Sequence, residues 1–402
     1  MTTSFILYFA TFVMGGCGLA YEYTLSRVAA DLLGNSARQW ALVIGAMMFC
    51  MGMGADLQKK LNDDNLAEKF IAAEIALGLL GGSGPLLLLL AYGRIPDYYI
   101  LVQYFFICGI GLLLGFELPL ITRLNEAHTS QLKFNLGKVL KMDYVGALAG
   151  ALAWVFLLPR WFTLIETAFI LGLCNLGAAL VLLFHFRRRT ASTRLLGLAL
   201  AAALLLCGGG LFQARGLTSY AEQFLYRDRV ILSRTTPYQH IVLTRSPAAE
   251  ISCYINGSLQ FNSADEAIYH ENLVHPAFLL VPEARRVLVL GGGDGLALRE
   301  IFKYPSVREV VLCDLDPGMT ALARSHPDFL ALNRGSLEDA RVHFLKNHFL
   351  VASGTEEEIR IANQRQRFGA QAQPVARVSL VHLDAARLLE QLAGRFDLII
   401  AD

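Results

Sequence analysis

Charge is scarce in this chain. Asp, Glu, Lys and Arg make up 17% of its 402 residues, and the formal net charge is +1. That excludes a disordered chain, which needs high charge and low hydrophobicity, and a nucleic-acid binder with a basic footprint. Cysteine occurs seven times without a CxxC pair, and no HExxH is present, so a zinc site has no support. Cys17, Cys50, Cys108, Cys174 and Cys207 lie in apolar runs, Cys253 and Cys313 in strand-like segments, and all read as small buried hydrophobes. The N-terminus lacks a Lys or Arg before its first apolar run and a small-residue cleavage site after it, so it is not read as a signal peptide.

What fills the first half is apolar. Hydrophobic residues reach 54% overall and mean hydropathy is +0.45. A bilayer-spanning helix takes roughly 20 predominantly apolar residues. That rule predicts seven spans, at 4–29, 40–57, 67–92, 98–122, 143–160, 162–186 and 194–212, forming a multi-span α-helical membrane domain over 1–212. Ionisable residues inside such runs are costly and mark a cavity, a partner or a function. Glu22 and Arg27 are read as a local pair or as lying near the interface, while Glu117 precedes Pro119 in the fourth run. Gly146–Gly150 and Gly45 to Gly54 suit close helix packing. Lys59, Lys60 and Lys69, then Arg123, Lys133, Lys138 and Lys141, then Arg187, Arg188, Arg189 and Arg194 follow the second, fourth and sixth runs. The positive-inside bias places these loops and the N-terminus in the cytoplasm, and seven spans then leave the second half outside.

Residues 213–402 have an ordinary soluble composition. Val230–Leu232, Gln239–Thr244 and Glu250–Ile255 read as strands of a small antiparallel domain over 213–280, with turn signals at Thr236-Pro237 and Asn256-Gly257. An α/β Rossmann-like domain follows over 281–402. Arg285–Leu290 is a buried-type strand, Gly291–Gly295 a glycine turn, Leu296–Tyr304 a helix and Val307–Cys313 a second strand ending in Asp314-Leu315-Asp316. Glycine lets the backbone at Gly291 and Gly292 approach a ligand, and an acid closing the second strand suits ribose hydroxyls. The dinucleotide fingerprint needs a sixth-position glycine, where Leu296 stands, and Asp294 in the loop would repel a pyrophosphate. The loop therefore points away from NAD and towards a nucleoside carrying positive charge, such as a sulfonium. Asp316, before Pro317, reads as a helix cap.

The ordered series Tyr238-Gln239-His240-Ile241, Tyr254–Gln260, Asp265-Glu266, Tyr269-His270-Glu271 and Gly291–Gly295 resembles the spermidine synthases, the polyamine aminopropyltransferases, from about residue 220 onward. The apolar half resembles the N-terminal extension of bacterial membrane-bound members. The resemblance implies aminopropyl transfer from decarboxylated S-adenosylmethionine, a co-substrate and not a prosthetic group, to putrescine, with spermidine and methylthioadenosine as products. It implies that Gln239 contacts the donor nucleoside, Tyr269 and His270 line the polyamine channel, and Asp294 binds an ammonium. Asp314 takes the ribose-binding position, Asp384 and Ala385 hold the adenine, and Asp402 is the catalytic base. No metal is called for, and a homo-oligomer in the cell (inner) membrane is expected.

Three departures stand out. Asn256 replaces an Asp in an otherwise equivalent hairpin turn. Ala340–Leu345 should run into the adenine-binding acid, but about 345–375 intervenes as an insert before 378–383 resumes the strand; the other reading gives Asn347 that position. The sequence stops at Asp402, after about the fourth strand of the sheet, which leads to the expectation of an incomplete catalytic domain and a fragment of doubtful activity. Two competing functions are a methyltransferase using S-adenosylmethionine and a transporter or polyamine sensor with a degenerate synthase domain. Because the donor and putrescine are cytosolic metabolites, the resemblance places the synthase domain in the cytoplasm, against the loop charges.

Overall fold

The computed structural model describes residues 3–126, 132–187, 192–344, 377–392 and 395–402. The chain forms two compact units, Met1–Val230 and Ile231–Asp402. The first boundary therefore lies later than residue 212. The reason is a short amphipathic helix after the last apolar run, which stays with the helical unit.

That unit consists of α1 (Thr3–Leu33), α2 (Ser36–Leu57), α3 (Leu66–Arg94), α4 (Tyr99–Glu126), α5 (Leu132–Leu152), α6 (Leu158–Trp161), α7 (Leu164–Phe186), α8 (Thr193–Phe212) and α9 (Ala214–Glu222). A π-turn at Ala153–Leu157 joins α5 to α6. Among the described residues, seven helical stretches are long and apolar enough to cross a membrane, and they coincide with the seven runs read from the sequence. The breaks follow local chemistry. Asn35, in the left-handed region, caps α2 by accepting the Arg38 N–H. Thr163 and Glu166 form a reciprocal capping box at the start of α7.

Small residues set the helix spacing where α5 meets α1 and where α2 meets α4. Gly146 and Gly150 of α5 lie on the α1 backbone: a Cβ at Gly150 would sit 2.2 Å from the Gly16 carbonyl oxygen, and one at Gly146 2.0 Å from that of Phe12. Of the other pair, Gly54 packs on α4, where its Cβ would sit 2.2 Å from the Leu112 carbonyl oxygen, while Gly45 faces open space. The expected Glu22–Arg27 pair does not form; Arg27 pairs with Asp31 at 2.9 Å. Residues five apart point to different sides of a helix, whereas residues four apart share a side.

Thr3 Oγ1 and His185 Nε2, 3.1 Å apart, join the start of α1 to the end of α7. Arg94 donates to the Tyr220 hydroxyl at 3.0 Å, and Arg215 meets Glu166 at 3.1 Å, so α9 lies where α3 ends and α7 begins. The chain thus leaves the helical unit at the end opposite Thr3.

The second unit carries two sheets. In the first, β1 (Arg229–Thr235), β2 (His240–Arg245), β3 (Ile251–Ile255) and β4 (Ser258–Asn262) lie in sequence order. β2, β3 and β4 pair antiparallel, and Asn256 (φ 51°) and Gly257 (φ 82°) make the tight turn between β3 and β4. α10 (Glu266–Leu280) leads to the second sheet, formed by β5 (Arg286–Leu290), β6 (Glu309–Asp314), β7 (Val342–Phe344), β8 (Arg377–His382) and β9 (Leu398–Ala401). Its order is β7-β8-β6-β5-β9 and its pairs are parallel. α11 (Leu296–Ile301), α12 (Pro317–Ser325), α13 (Pro327–Asn333) and α14 (Ala385–Gln391) accompany it.

The order β8-β6-β5-β9 is the 3-2-1-4 arrangement of a Rossmann-type sheet. It gives the resumed segment at 378–383 the third-strand position. Within the earlier copy, Val342–Phe344 forms a strand, β7, which pairs with β8 as an extra edge; the insert proper lies outside the described residues. Ile241, Leu243, Cys253 and Phe261 of the antiparallel sheet share one core with Val287, Val289, Val310 and Leu380 of the parallel sheet. The two sheets are therefore layers of one compact unit, not separately cored domains.

Candidate functional site

The glycine turn is where three strand ends meet. Gly291, Gly292 and Gly295 have φ of 91°, 74° and 80°, a region closed to most side chains. On one side β9 runs beside β5, and the Asp402 N–H donates to the Leu290 carbonyl at 2.9 Å. On the other, the Gly291 N–H donates to the Cys313 carbonyl at 2.8 Å. A Cβ at Gly291 would lie 2.5 Å from the Asp402 carbonyl oxygen, and one at Gly293 2.5 Å from Asp314 Oδ2. Glycine here brings the ends of β9 and β6 against the loop.

Three ionisable side chains converge beside it. One ligand atom from each of His270, Asp294 and Asp402 lies within 4.8 Å of the other two. His270 is 2% exposed, Asp294 8%, and the Asp402 side chain 4%. His270 Nε2 faces Asp402 Oδ2 at 4.0 Å. Its Nδ1 lies 2.9 Å from Glu266 Oε2 and 3.0 Å from the Glu266 carbonyl. Two acceptors at Nδ1 require the proton there, which turns Nε2 towards Asp402. Glu266 is held in turn by the Arg299 fork at 2.7 and 3.1 Å, and Arg299 also reaches Glu300 at 2.8 Å.

The electrostatics follow from burial and company. Desolvation and the Asp402 carboxylate push Asp294 up to about 7. Asp402 is also raised by burial, with His270 and Tyr269 opposing. Burial would lower His270, but Glu266, Asp294 and Asp402 more than offset it and hold it above its ordinary value. Burial would raise Glu266, yet its bonds to His270 and Arg299 hold it down at about 2. Two carboxylates and an imidazole in a desolvated recess make a site for a cation. A second group, Glu271, His275 and Glu300, has similar composition, but Lys303 already reaches both acids.

The remaining predicted residues stand as follows. Asp314 accepts the Gly293 N–H at 2.8 Å and the Asp316 N–H at 2.7 Å, and burial raises it above its ordinary value. Asp316 caps α12 as expected, accepting the Gly318 N–H at 2.8 Å. The Tyr269 ring is half exposed, and its phenol interacts with Asp402. Gln239 closes a turn in which its N–H donates to Thr236 Oγ1 at 3.0 Å. Asp384 is exposed at the end of β8 and caps α14 through the Ala386 and Arg387 N–H groups, with Ala385 as the first helical residue. Asp384 and Gln239 are therefore not drawn into the buried trio.

Two contributors escaped the sequence reading. Arg299 carried no signal beyond helical spacing on α11. Thr236 donates to Asp316 Oδ2 at 2.9 Å and so ties the antiparallel sheet to the second strand-end acid. Glu266 was visible as part of a motif, and its place four residues before His270 was the available clue to their contact.

Comparison with known proteins adds the following. The spermine/spermidine synthase domain matches residues 266–350. Polyamine aminopropyltransferase 2 of Ralstonia nicotianae is 42% identical over 346 residues, covering 84% of this chain and 67% of that protein. The polyamine aminopropyltransferase of Leptospira interrogans is 40% identical over 337 residues, with 84% and 67% covered. Polyamine aminopropyltransferase 2 of Aquifex aeolicus is 35% identical over 361 residues, with 89% and 71% covered. These alignments are longer than the second unit, so the likeness extends into the helical unit. The chain spans about two thirds of the length of these relatives. A solved spermidine synthase in complex with the transition-state analogue AdoDATO is 25% identical, covering 43% of this chain and 47% of that one, with a TM-score of 0.31.

Proposed function

The chain belongs to the polyamine aminopropyltransferase family, and on that premise we propose that the protein transfers an aminopropyl group from decarboxylated S-adenosylmethionine to putrescine, giving spermidine and methylthioadenosine. The observation that carries the proposal is the meeting of His270, Asp294 and Asp402 at the glycine loop. Both substrates are cations, and a desolvated recess with two acids suits them.

A putrescine amine has a pKa near that of Lys, ~10.4, and arrives protonated. Asp402 accepts one N–H proton as general base and holds the nitrogen in line. The freed lone pair forms the N–C bond, the C–S bond breaks, and its electron pair stays on sulfur, which leaves as a neutral thioether. The sulfonium supplies the electrophile, so orientation of the two substrates accounts for much of the acceleration. Asp294 binds the aminopropyl ammonium. Gly291 and Gly292 admit the nucleoside, Asp314 takes its ribose, Gln239 contacts the nucleoside, and Asp384 with Ala385 holds the adenine. Tyr269 and His270 line the acceptor channel. The protein, incubated with donor and putrescine, should yield spermidine and methylthioadenosine by mass spectrometry; unchanged donor would refute the assignment.

The helical unit is proposed to cross a lipid bilayer. Its outer faces support this: Leu195, Leu198, Leu205 and Leu206 of α8 are 66–77% exposed, as are apolar residues of α4 and α5, a surface that water would not favour. The synthase unit is proposed to face the cytoplasm, where its substrates are made. Since α9 leaves at the end opposite Thr3, this puts the Arg-rich 187–194 loop outside, against the positive-inside bias. The substrate requirement outweighs the bias because a synthase without substrate has no activity. Reporter fusions at Arg187 and Arg215 should report the outside and the cytoplasm, respectively; the reverse result overturns the orientation.

A further inference from the structure

The helical unit buries a group of polar side chains that the transferase chemistry does not use. Glu74 of α3 and Asn175 of α7 are fully buried, and Glu117 of α4 is 3% exposed. Asn175 Nδ2 donates to Glu74 Oε2 at 2.8 Å. The Glu74 and Glu117 carboxyls lie within hydrogen-bonding reach of each other. Three acceptors remain, Glu74 Oε1, Glu117 Oε1 and Asn175 Oδ1, each buried with no hydrogen-bond partner.

Accounting for donors narrows what this group can hold. A carboxylate accepts only, and so does an amide oxygen. Two ionised carboxylates in contact inside an apolar bundle repel at short range in low dielectric. Among the described residues, the titratable groups facing the pair from neighbouring helices are Asp143 of α5 and Tyr21 and Cys17 of α1. None of these is a cation. The packing around them is close: Tyr21 lies directly against Gly81 on α3, and Leu176 against Gly78. A proton is the smallest cation, and the one that two facing carboxyls can share through a hydrogen bond.

We propose that Glu74 and Glu117 form a proton-binding site in the interior of the helical unit, one carboxyl donating a shared, exchangeable proton to the other while Asn175 fixes Glu74 from the side. Pro119 lies two residues beyond Glu117 and has no N–H to give the Gly115 carbonyl, so the α4 backbone beside the site is freer to adjust than an uninterrupted helix. The site is separate from the cation site of the second unit and stands or falls without it.

Dicyclohexylcarbodiimide adds to a protonated carboxyl in apolar surroundings and leaves an N-acylurea that peptide mass spectrometry can place. The intact protein in native membranes, treated at neutral pH, should carry one adduct per chain on Glu74 or Glu117. The adduct should diminish as pH is raised, persist in excess sodium or potassium chloride, and vanish in the double variant Glu74→Gln/Glu117→Gln. Because the wild-type adduct is located directly, the result does not depend on the variant folding. No adduct on either residue, adducts on both in one chain, or protection by sodium or potassium would each overturn the proposal, the last because a metal cation would then hold the place assigned to the proton.

Discussion

Each unit of this protein buries acids, and the two groups keep different company. In the second unit, Asp294 and Asp402 share their recess with His270, and behind it Glu266 is locked to Arg299. In the helical unit, Glu74 and Glu117 face each other, Asn175 and, among the described residues, no cationic side chain. The first arrangement keeps charge in place and leaves part of it unanswered, which is the place proposed for a cationic substrate. The second has no countercharge, so neutralisation comes from a proton. Burial is common to both; the function follows from which partners are fixed by the chain.

The largest test of that contrast is Asp402→Asn. It removes the proton acceptor and should lower kcat by about 10²–10⁴-fold in a methylthioadenosine-release assay. A loss below tenfold would mean that the buried acid is not the base. Next is Arg299→Met, which strips Glu266 of its fork and should cost on the order of 3 kcal/mol in denaturant unfolding. The sign with pH can be checked in the same experiment. Glu266 is held at about 2 in the folded protein, below the ordinary ~4.3, so its contribution is present above that ordinary value and is lost as pH falls towards 2. The variant should lose the Arg299 share of that acid dependence and keep the share that His270 supplies.

A third test uses Asp294. With its carboxyl near 7, it is ionised above neutrality and progressively neutral below it. The KM of a cationic substrate should rise as pH falls below about 7, approaching tenfold per unit. A flat KM profile would separate Asp294 from ammonium binding. The smallest effect belongs to the helical unit. Glu74→Gln imitates a neutral carboxyl and should change stability by less than about 1 kcal/mol, because no fixed ion pair is broken. A loss as large as that of Arg299→Met would erase the distinction between the two acid groups.

The sequence made some of this legible and hid the rest for physical reasons. The seven long helices were visible because a membrane-length apolar run has few other uses. The β5–glycine–α11–β6 unit was visible because Gly291, Asp294 and Asp314 occur at fixed offsets. Pairings across helices were not. Arg27 chose Asp31 by position on the helix face, and Glu74, inside an apolar run, gave no hint of Glu117 forty-three residues on. The strand pattern at 340–345 was legible, but not that it stands beside β8 as an extra edge, because pairing order is set by distant partners. Asp384 was read as an adenine contact, but its position at a helix start also gave it a cap to make, and the sequence does not distinguish one duty from the other.

The α1–α5 contact has a mechanical consequence. Where Gly146 and Gly150 meet the α1 backbone, no side chain lies between the two helices to act as a bearing. Sliding one past the other by a turn, about 5.4 Å, would drive a side-chain-bearing residue into the space that only glycine fits. The pair therefore behaves as a strut with its register locked. Any working stroke of the helical unit must be taken up by other pairs of helices, and α2 with α4 is not one of them, since a Cβ at Gly54 would sit 2.2 Å from the Leu112 carbonyl oxygen and one at Gly115 2.1 Å from that of Met51.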